Sequence, residues 1–75
     1  MSNKLETLKS ILREELGRDD IADDANEADY PEWDSMAYMS VVARVEEAFD
    51  VEATAANITA FSSIAGILAL INGDA

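Results

Sequence analysis

Residues 34–49 read DSMAYMSVVARVEEAF, and this stretch decides the fold because its large apolar side chains recur at helical spacing. At about 100° per residue they cluster on one side of a helix. This core face comprises Tyr38, Val41, Val42, Val45 and Phe49. Asp34 is a short acidic residue that can accept the free N–H groups of a first turn. The stretch therefore predicts a helix that begins at Asp34 and Ser35 and ends at Phe49, just before Asp50.

The N-terminal segment predicts another helix, from about Lys4 to Leu16. Its large apolar residues also follow the spacing of one helical face. They are Leu5, Leu8, Ile11 and Leu12. Ser2 or Asn3 can cap the start, and Gly17 stands where a left-handed C-terminal residue is favoured.

The C-terminal segment predicts a last helix from about Ser63 to Asn72. Its apolar residues repeat at the same period. They are Ile64, Ile67, Leu68 and Ile71. Ser62 or Ser63 can cap this helix, and Gly73 can stop it. The Ala-rich segment Val51 to Ile58 predicts a short third helix of one or two turns.

The segment from Arg18 to Trp33 predicts a long ordered loop, because it lacks helical periodicity and contains Pro31. Half of the chain's 16 acidic residues lie between positions 19 and 34, a stretch that contains no Lys or Arg. They are Asp19, Asp20, Asp23, Asp24, Glu27, Asp29, Glu32 and Asp34. Ile21, Tyr30 and Trp33 are the expected apolar anchors. No stretch alternates apolar and polar residues, so residues 1–75 predict a single all-α domain.

The composition excludes several function classes. The chain has no Cys and no His, which removes disulfides, thiol nucleophiles, imidazole bases and the usual zinc ligands. We therefore predict no catalytic residues, no metal site and no enzyme activity. The acidic loop is a poor match to an EF-hand, which needs ligands at alternate positions around a glycine, although loose cation binding stays open.

The net charge of −11 predicts which partners the chain meets. It would repel nucleic acid and anionic membrane surfaces, so its partners should be basic. No apolar run approaches the roughly 20 residues of a membrane span, and the first ten residues lack the apolar core of a signal peptide. The expected location is the cytoplasm.

The second helix also carries a smaller apolar group on the side opposite the core face. Met36, Met39 and Ala43, here called the methionine face, have the carboxylates of Glu46 and Glu47 nearby. Single apolar residues are common on surfaces, and the acidic loop could also fold over this side. The alternative is a docking surface, since methionine adapts to several partners and carboxylates attract basic ones.

The residues at the start of this helix resemble a known signature. Asp-Ser before an apolar helix is, by itself, more often only a helix start. However, Asp34-Ser35-Met36 resembles the Asp-Ser-Leu signature of acyl carrier proteins. The helix ends Glu46-Glu47-Ala48-Phe49, similar to the family's Glu-Glu-x-Phe, and Ile71-Asn72-Gly73 also looks like the family.

This resemblance implies a bundle of three main helices plus a short third helix, with a long loop between helices one and two. It implies that a phosphopantetheinyl transferase attaches a 4′-phosphopantetheine arm from coenzyme A to Ser35, with Asp34 assisting recognition. The arm's thiol would carry acyl or aminoacyl groups as thioesters for fatty acid (lipid), polyketide or other specialised biosynthesis. Implied partners are a loading ligase and processing enzymes with basic docking surfaces, around a monomeric carrier.

Some residues depart from the fatty-acid carrier pattern. Glu32-Trp33 precedes the signature and Met36 follows it, which resembles stand-alone carriers of specialised pathways. In the family an acyl chain can fold between the helices, and Ala65 and Gly66 could leave room for it here; plain core packing is the alternative. A rival class is a non-catalytic acidic interaction module, in which Ser35 belongs only to a helix cap and is never modified.

Overall fold

The computed structural model describes residues 3–73 and is all-helical. Its elements are α1 (Lys4–Leu16), a 3₁₀ helix at Glu27–Asp29, α2 (Ser35–Phe49), a 3₁₀ helix at Ile58–Ser62 and α3 (Ile64–Ile71). The predicted all-α bundle with a long loop between the first two helices is confirmed. Within residues 3–73, no helix is both long enough and apolar enough to cross a membrane.

The predicted bounds of α1 are confirmed, and its caps explain them. The side chain of Asn3 accepts the backbone N–H of Glu6 at 3.1 Å, while Ser2, the other candidate cap, lies outside the described residues. Gly17 has a φ of 68° and donates its N–H to the carbonyl of Arg13 at 2.9 Å. Glycine adopts this left-handed conformation without steric cost, so the helix ends here.

The predicted position of the short third helix is wrong. The segment Val51 to Thr54 has no regular structure, and the helix lies at Ile58–Ser62 with 3₁₀ geometry. The side chain of Asn57 accepts the N–H of Thr54 at 2.7 Å and donates to the carbonyl of Glu52 at 3.0 Å. Such local side-chain hydrogen bonds compete with helix formation. The spacing of apolar residues does not reveal this competition.

Arg18 and the buried aromatic residues hold the acidic loop in place. Arg18 donates to Asp20 at 2.8 Å and to Glu32 at 3.1 Å, and its guanidinium lies 4.7 Å from the centre of the Tyr30 ring. The guanidinium also holds the pKa of the Asp20 carboxyl below its ordinary value. Three anchors of the loop are buried as predicted, namely Ile21, Tyr30 and Trp33. Ala25, which the sequence did not indicate, is buried too.

The core lies between the three helices, the loop and the 3₁₀ helix at Ile58–Ser62, with α1 and this 3₁₀ helix packed against α2. The predicted core face of α2 is confirmed, with Val41, Val42 and Val45 buried and Tyr38 and Phe49 packed at its edge. The other buried residues come from every element around it. They are Leu8, Ile11, Leu12, Leu16, Ile21, Ala25, Tyr30, Trp33, Phe61, Ile64 and Ile67.

Gly66 in the first turn of α3 lets the helix approach the preceding 3₁₀ helix very closely. Ser63 caps α3 by accepting the N–H of Gly66 at 3.0 Å. A Cβ built on Gly66 would lie 2.3 Å from the carbonyl oxygen of Ala60. The backbone of Ala60 therefore fills the space beside Gly66, and this glycine leaves no room for an acyl chain.

We expect Gly66→Ala to lower the free energy of unfolding by about 1–3 kcal/mol, because the new methyl group overlaps backbone that cannot rotate away. Alanine is intrinsically the better helix former by about 1 kcal/mol, so a loss would isolate the steric effect. Urea unfolding followed by circular dichroism measures it. Ala65→Ser, at the exposed neighbouring position, should change stability little. A Gly66→Ala variant as stable as the original would contradict this packing.

Candidate functional site

The first turn of α2 places Ser35 at the surface. Asp34 has an extended backbone, and its Oδ1 accepts the N–H of Ala37 at 2.9 Å, which confirms the predicted cap. Its carbonyl accepts the N–H of Tyr38 at 2.8 Å. With the cap fixed, Ser35 is the first helical residue, and its side chain is exposed.

The same turn offers hydrogen-bond donors beside the Ser35 hydroxyl. The first four N–H groups of a helix lack partners within it. Two of those in α2 bond to Asp34, whereas the N–H groups of Ser35 and Met36 make no hydrogen bond within residues 3–73. Free N–H groups and the positive end of the helix dipole favour an anion at this position.

A groove of about 450 Å³ opens next to Ser35. Its lining, here called the Ser35 groove, combines apolar and acidic side chains. It consists of Glu27, Trp33, Asp34, Ser35, Tyr38 and Met39. The sequence analysis identified Trp33 as a loop anchor and as the residue before the signature, and Tyr38 only as part of the core face. It missed Glu27, which reaches the site because the loop forms a 3₁₀ turn at Glu27–Asp29.

Trp33 and Tyr38 differ in how their polar atoms are satisfied. The hydroxyl of Tyr38 donates to the carbonyl of Ile58. Burial raises the pKa of the Tyr38 hydroxyl, and the nearby charge of Glu27 raises it further, so the hydroxyl keeps its proton at neutral pH. The indole Nε1 of Trp33 is buried and has no hydrogen-bond partner among the described residues.

The methionine face is exposed, as a docking surface requires. Met36 is 82% exposed and Met39 is 59% exposed, and Ala43 is exposed as well. The acidic loop therefore does not fold over this side of α2. Of the two neighbouring carboxylates, Glu47 is exposed, whereas Glu46 is partly buried and accepts the N–H of Ala53 at 2.8 Å.

The side of α2 that carries Ser35 presents no free positive charge. Arg44 is the only basic residue of this helix, and it points to α1, where it pairs with Glu14 at 2.7 Å and Glu15 at 2.9 Å. The other basic side chains are also engaged within the fold. They are Lys4 with Asn72, Lys9 with Asp23, Arg13 with Glu6, and Arg18 with Asp20 and Glu32.

Carboxylates are plentiful in the described part of the chain, but they do not converge. Over residues 3–73, no three acidic side chains come together in a way that could hold a metal ion. The electrostatic character of the surface is therefore that of dispersed negative charge, which attracts basic surfaces over a distance.

Comparison with known proteins identifies the family. A family model described as "Phosphopantetheine attachment site" matches residues 6–71, far more than half of the chain. No curated protein and no solved structure matches it significantly. The site fits a phosphopantetheine group, since an exposed hydroxyl, two free N–H groups and a groove lie together at the start of α2. Trp33, whose buried indole N–H has no partner among the described residues, is part of the groove lining.

The capping bond of Asp34 can be tested separately from any recognition of its charge. We expect Asp34→Ala to cost about 0.5–2 kcal/mol of stability, because the N–H of Ala37 loses its acceptor. Asp34→Asn keeps an acceptor oxygen and should retain most of the stability. Thermal unfolding of the two variants gives the comparison. Equal losses in both, or no loss in either, would show that the cap contributes nothing.

Proposed function

We propose that Ser35 is the attachment residue of this chain, which belongs to the phosphopantetheine-attachment-site family. Members of this family carry a covalently attached 4′-phosphopantetheine and act as carrier proteins. The observation that carries the proposal is the position of Ser35. It is an exposed hydroxyl at the first residue of α2, within the matched region and beside two free backbone N–H groups.

The residues of this chain prepare the hydroxyl but do not activate it. When bound, the group supplies a thiol that carries an acyl or aminoacyl cargo as a thioester. Asp34 fixes the first turn and so holds Ser35 outward. The N–H groups of Ser35 and Met36, which have no partner at the start of α2, would stabilise the charge of a phosphodiester on Ser35. Carrier domains are typically non-catalytic, and we propose the same here, with a phosphopantetheinyl transferase removing the serine proton.

We further propose that residues 1–75 form a single, monomeric carrier domain for a specialised pathway of lipid, polyketide or related biosynthesis. The residues that support a specialised role flank the attachment site. Trp33 precedes it and Met36 follows it, in place of the pattern typical of fatty-acid carriers. Because coenzyme A is the donor of the arm, the proposed location is the cytoplasm.

The methionine face is the proposed docking surface for the transferase, the loading ligase and the processing enzymes. Burying exposed methionine side chains stabilises a complex, and their flexibility suits partners of different shape. Glu47 remains free to attract a basic partner. Glu46 contributes its charge as well, although its hydrogen bond to Ala53 fixes it to the fold.

The attachment proposal is tested by intact mass. The chain is incubated with coenzyme A, magnesium and a broad-specificity phosphopantetheinyl transferase, and we expect a gain of one phosphopantetheine. Ser35→Ala should gain nothing, because the attacking hydroxyl is gone. Ser40→Ala is the matched control, since Ser40 is another exposed serine of α2 and its loss should leave the mass gain intact. No gain in the original chain with several transferases would favour the acidic interaction module.

The docking surface is tested by reversing one charge. We expect Glu47→Lys to lower kcat/KM of the transferase by about twofold to tenfold, because an exposed attraction becomes a repulsion. Glu52→Lys makes the same change in net charge at an exposed position after α2 and is the control. Initial rates at low ionic strength give the values. Equal effects of both substitutions would mean that only net charge matters, and not this face.

A further inference from the structure

We propose that Trp33 holds the phosphopantetheine arm in the Ser35 groove, by donating its indole N–H to a polar oxygen of the arm. This inference rests on the proposed function, because it requires the arm to be attached at Ser35. It assigns Trp33 a positioning role beyond its role as a loop anchor. It also implies that the arm folds back onto the carrier when no partner is bound.

The first observation is the unpaired donor. Trp33 is only 3% exposed, and its Nε1 has no hydrogen-bond partner in the described part of the chain. Buried indole N–H groups usually have a partner, because an unpaired buried donor loses its water without compensation. The Nε1 of Trp33 is also the only buried side-chain nitrogen or oxygen within residues 3–73 that lacks a hydrogen-bond partner. The fold thus leaves one donor for something else to satisfy.

No protein acceptor among the described residues forms a hydrogen bond with this nitrogen. The hydroxyl of Tyr38 donates to the carbonyl of Ile58, and the Oδ1 of Asp34 accepts the N–H of Ala37. Phosphopantetheine has two amide carbonyls and a hydroxyl along its chain, so it offers acceptors of the kind that an indole N–H requires.

The volume and the lining of the groove both suit the arm. Its volume of about 450 Å³ is the liquid volume of about fifteen water molecules, enough for a substantial part of a flexible chain. Trp33, Tyr38 and Met39 provide apolar walls for the methyl and methylene groups. Ser35 and Trp33 both line the groove, so an arm attached at Ser35 starts beside the indole. Because Nε1 itself is buried, donation to the arm requires the indole ring to turn toward the groove.

Met39 connects the held arm to the partners. It lines the Ser35 groove and also belongs to the methionine face. A partner that covers Met39 therefore contacts the groove in which the arm lies. Docking and release of the arm are coupled through this side chain.

The single tryptophan makes the test direct, because the chain has one indole N–H resonance. The ¹⁵N-labelled chain is converted with coenzyme A, and intact mass first establishes that Ser35 is modified. We then expect the indole proton to shift downfield and to show nuclear Overhauser contacts with a ¹³C-labelled arm. A full mass gain with an unshifted indole and no such contacts would overturn this inference alone. No mass gain would instead overturn the proposed function, and this inference with it.

Trp33→Phe is the variant that separates hydrogen bonding from packing, because it keeps a ring but removes the donor. We expect full modification, unchanged helical circular dichroism, and arm signals that relax like those of free pantetheine. Ser40→Ala, exposed on α2 and outside the groove lining, should leave the arm contacts of the original chain intact. If the arm signals of Trp33→Phe equal those of the original holo protein, the N–H does not hold the arm. If Trp33→Phe fails to fold, the indole contacts of the original chain decide the matter.

Discussion

The hydrogen bond from the N–H of Ala37 to Asp34 is the constraint on which the arrangement of α2 depends. It fixes the residue at which the helix begins, and therefore the direction in which every later side chain points. A shift of one residue would rotate the helix by about 100° relative to the core. The present start turns Ser35 outward and Val41 and Val45 inward. This one capping bond therefore orients both the proposed attachment residue Ser35 and the face of α2 that enters the core.

Because α2 begins at this residue, its second apolar group has no partner within the fold. The core can cover only one side of a helix in so small a bundle, and α1 and the 3₁₀ helix at Ile58–Ser62 pack against that side. Arg44 strengthens this arrangement, since its pairs with Glu14 and Glu15 tie the helix to α1. Met36 and Met39 consequently stay in solvent.

Apolar periodicity predicted much of this structure because it records which faces are buried. The bounds of α1 and α2 and the core face all follow from it and from the capping residues. The short helix was misplaced because the side chain of Asn57 satisfies the backbone around Thr54, an effect without any period. The close contact of Gly66 with Ala60 was missed because it depends on how two elements pack.

The site itself was predictable only in part, because some of its residues come together only through the fold. Ser35 and Asp34 are adjacent in sequence and carry a signature, so the residues alone point to them. Glu27 reaches the groove through the fold of the acidic loop, and no local pattern indicates that. The unpaired nitrogen of Trp33 is less visible still, since a residue type reveals that a donor exists but never whether the fold satisfies it.

A chain without Cys or His can serve thioester chemistry only by holding and presenting a group that another enzyme attached. The three surfaces that this requires all begin in the first two turns of α2. Ser35 lies at the helix start, the groove runs along Trp33 and Tyr38, and the methionine face begins at Met36. Since Met39 belongs to both the groove and that face, the proposed held arm and the proposed docked partner would contact the same side chain and so influence each other.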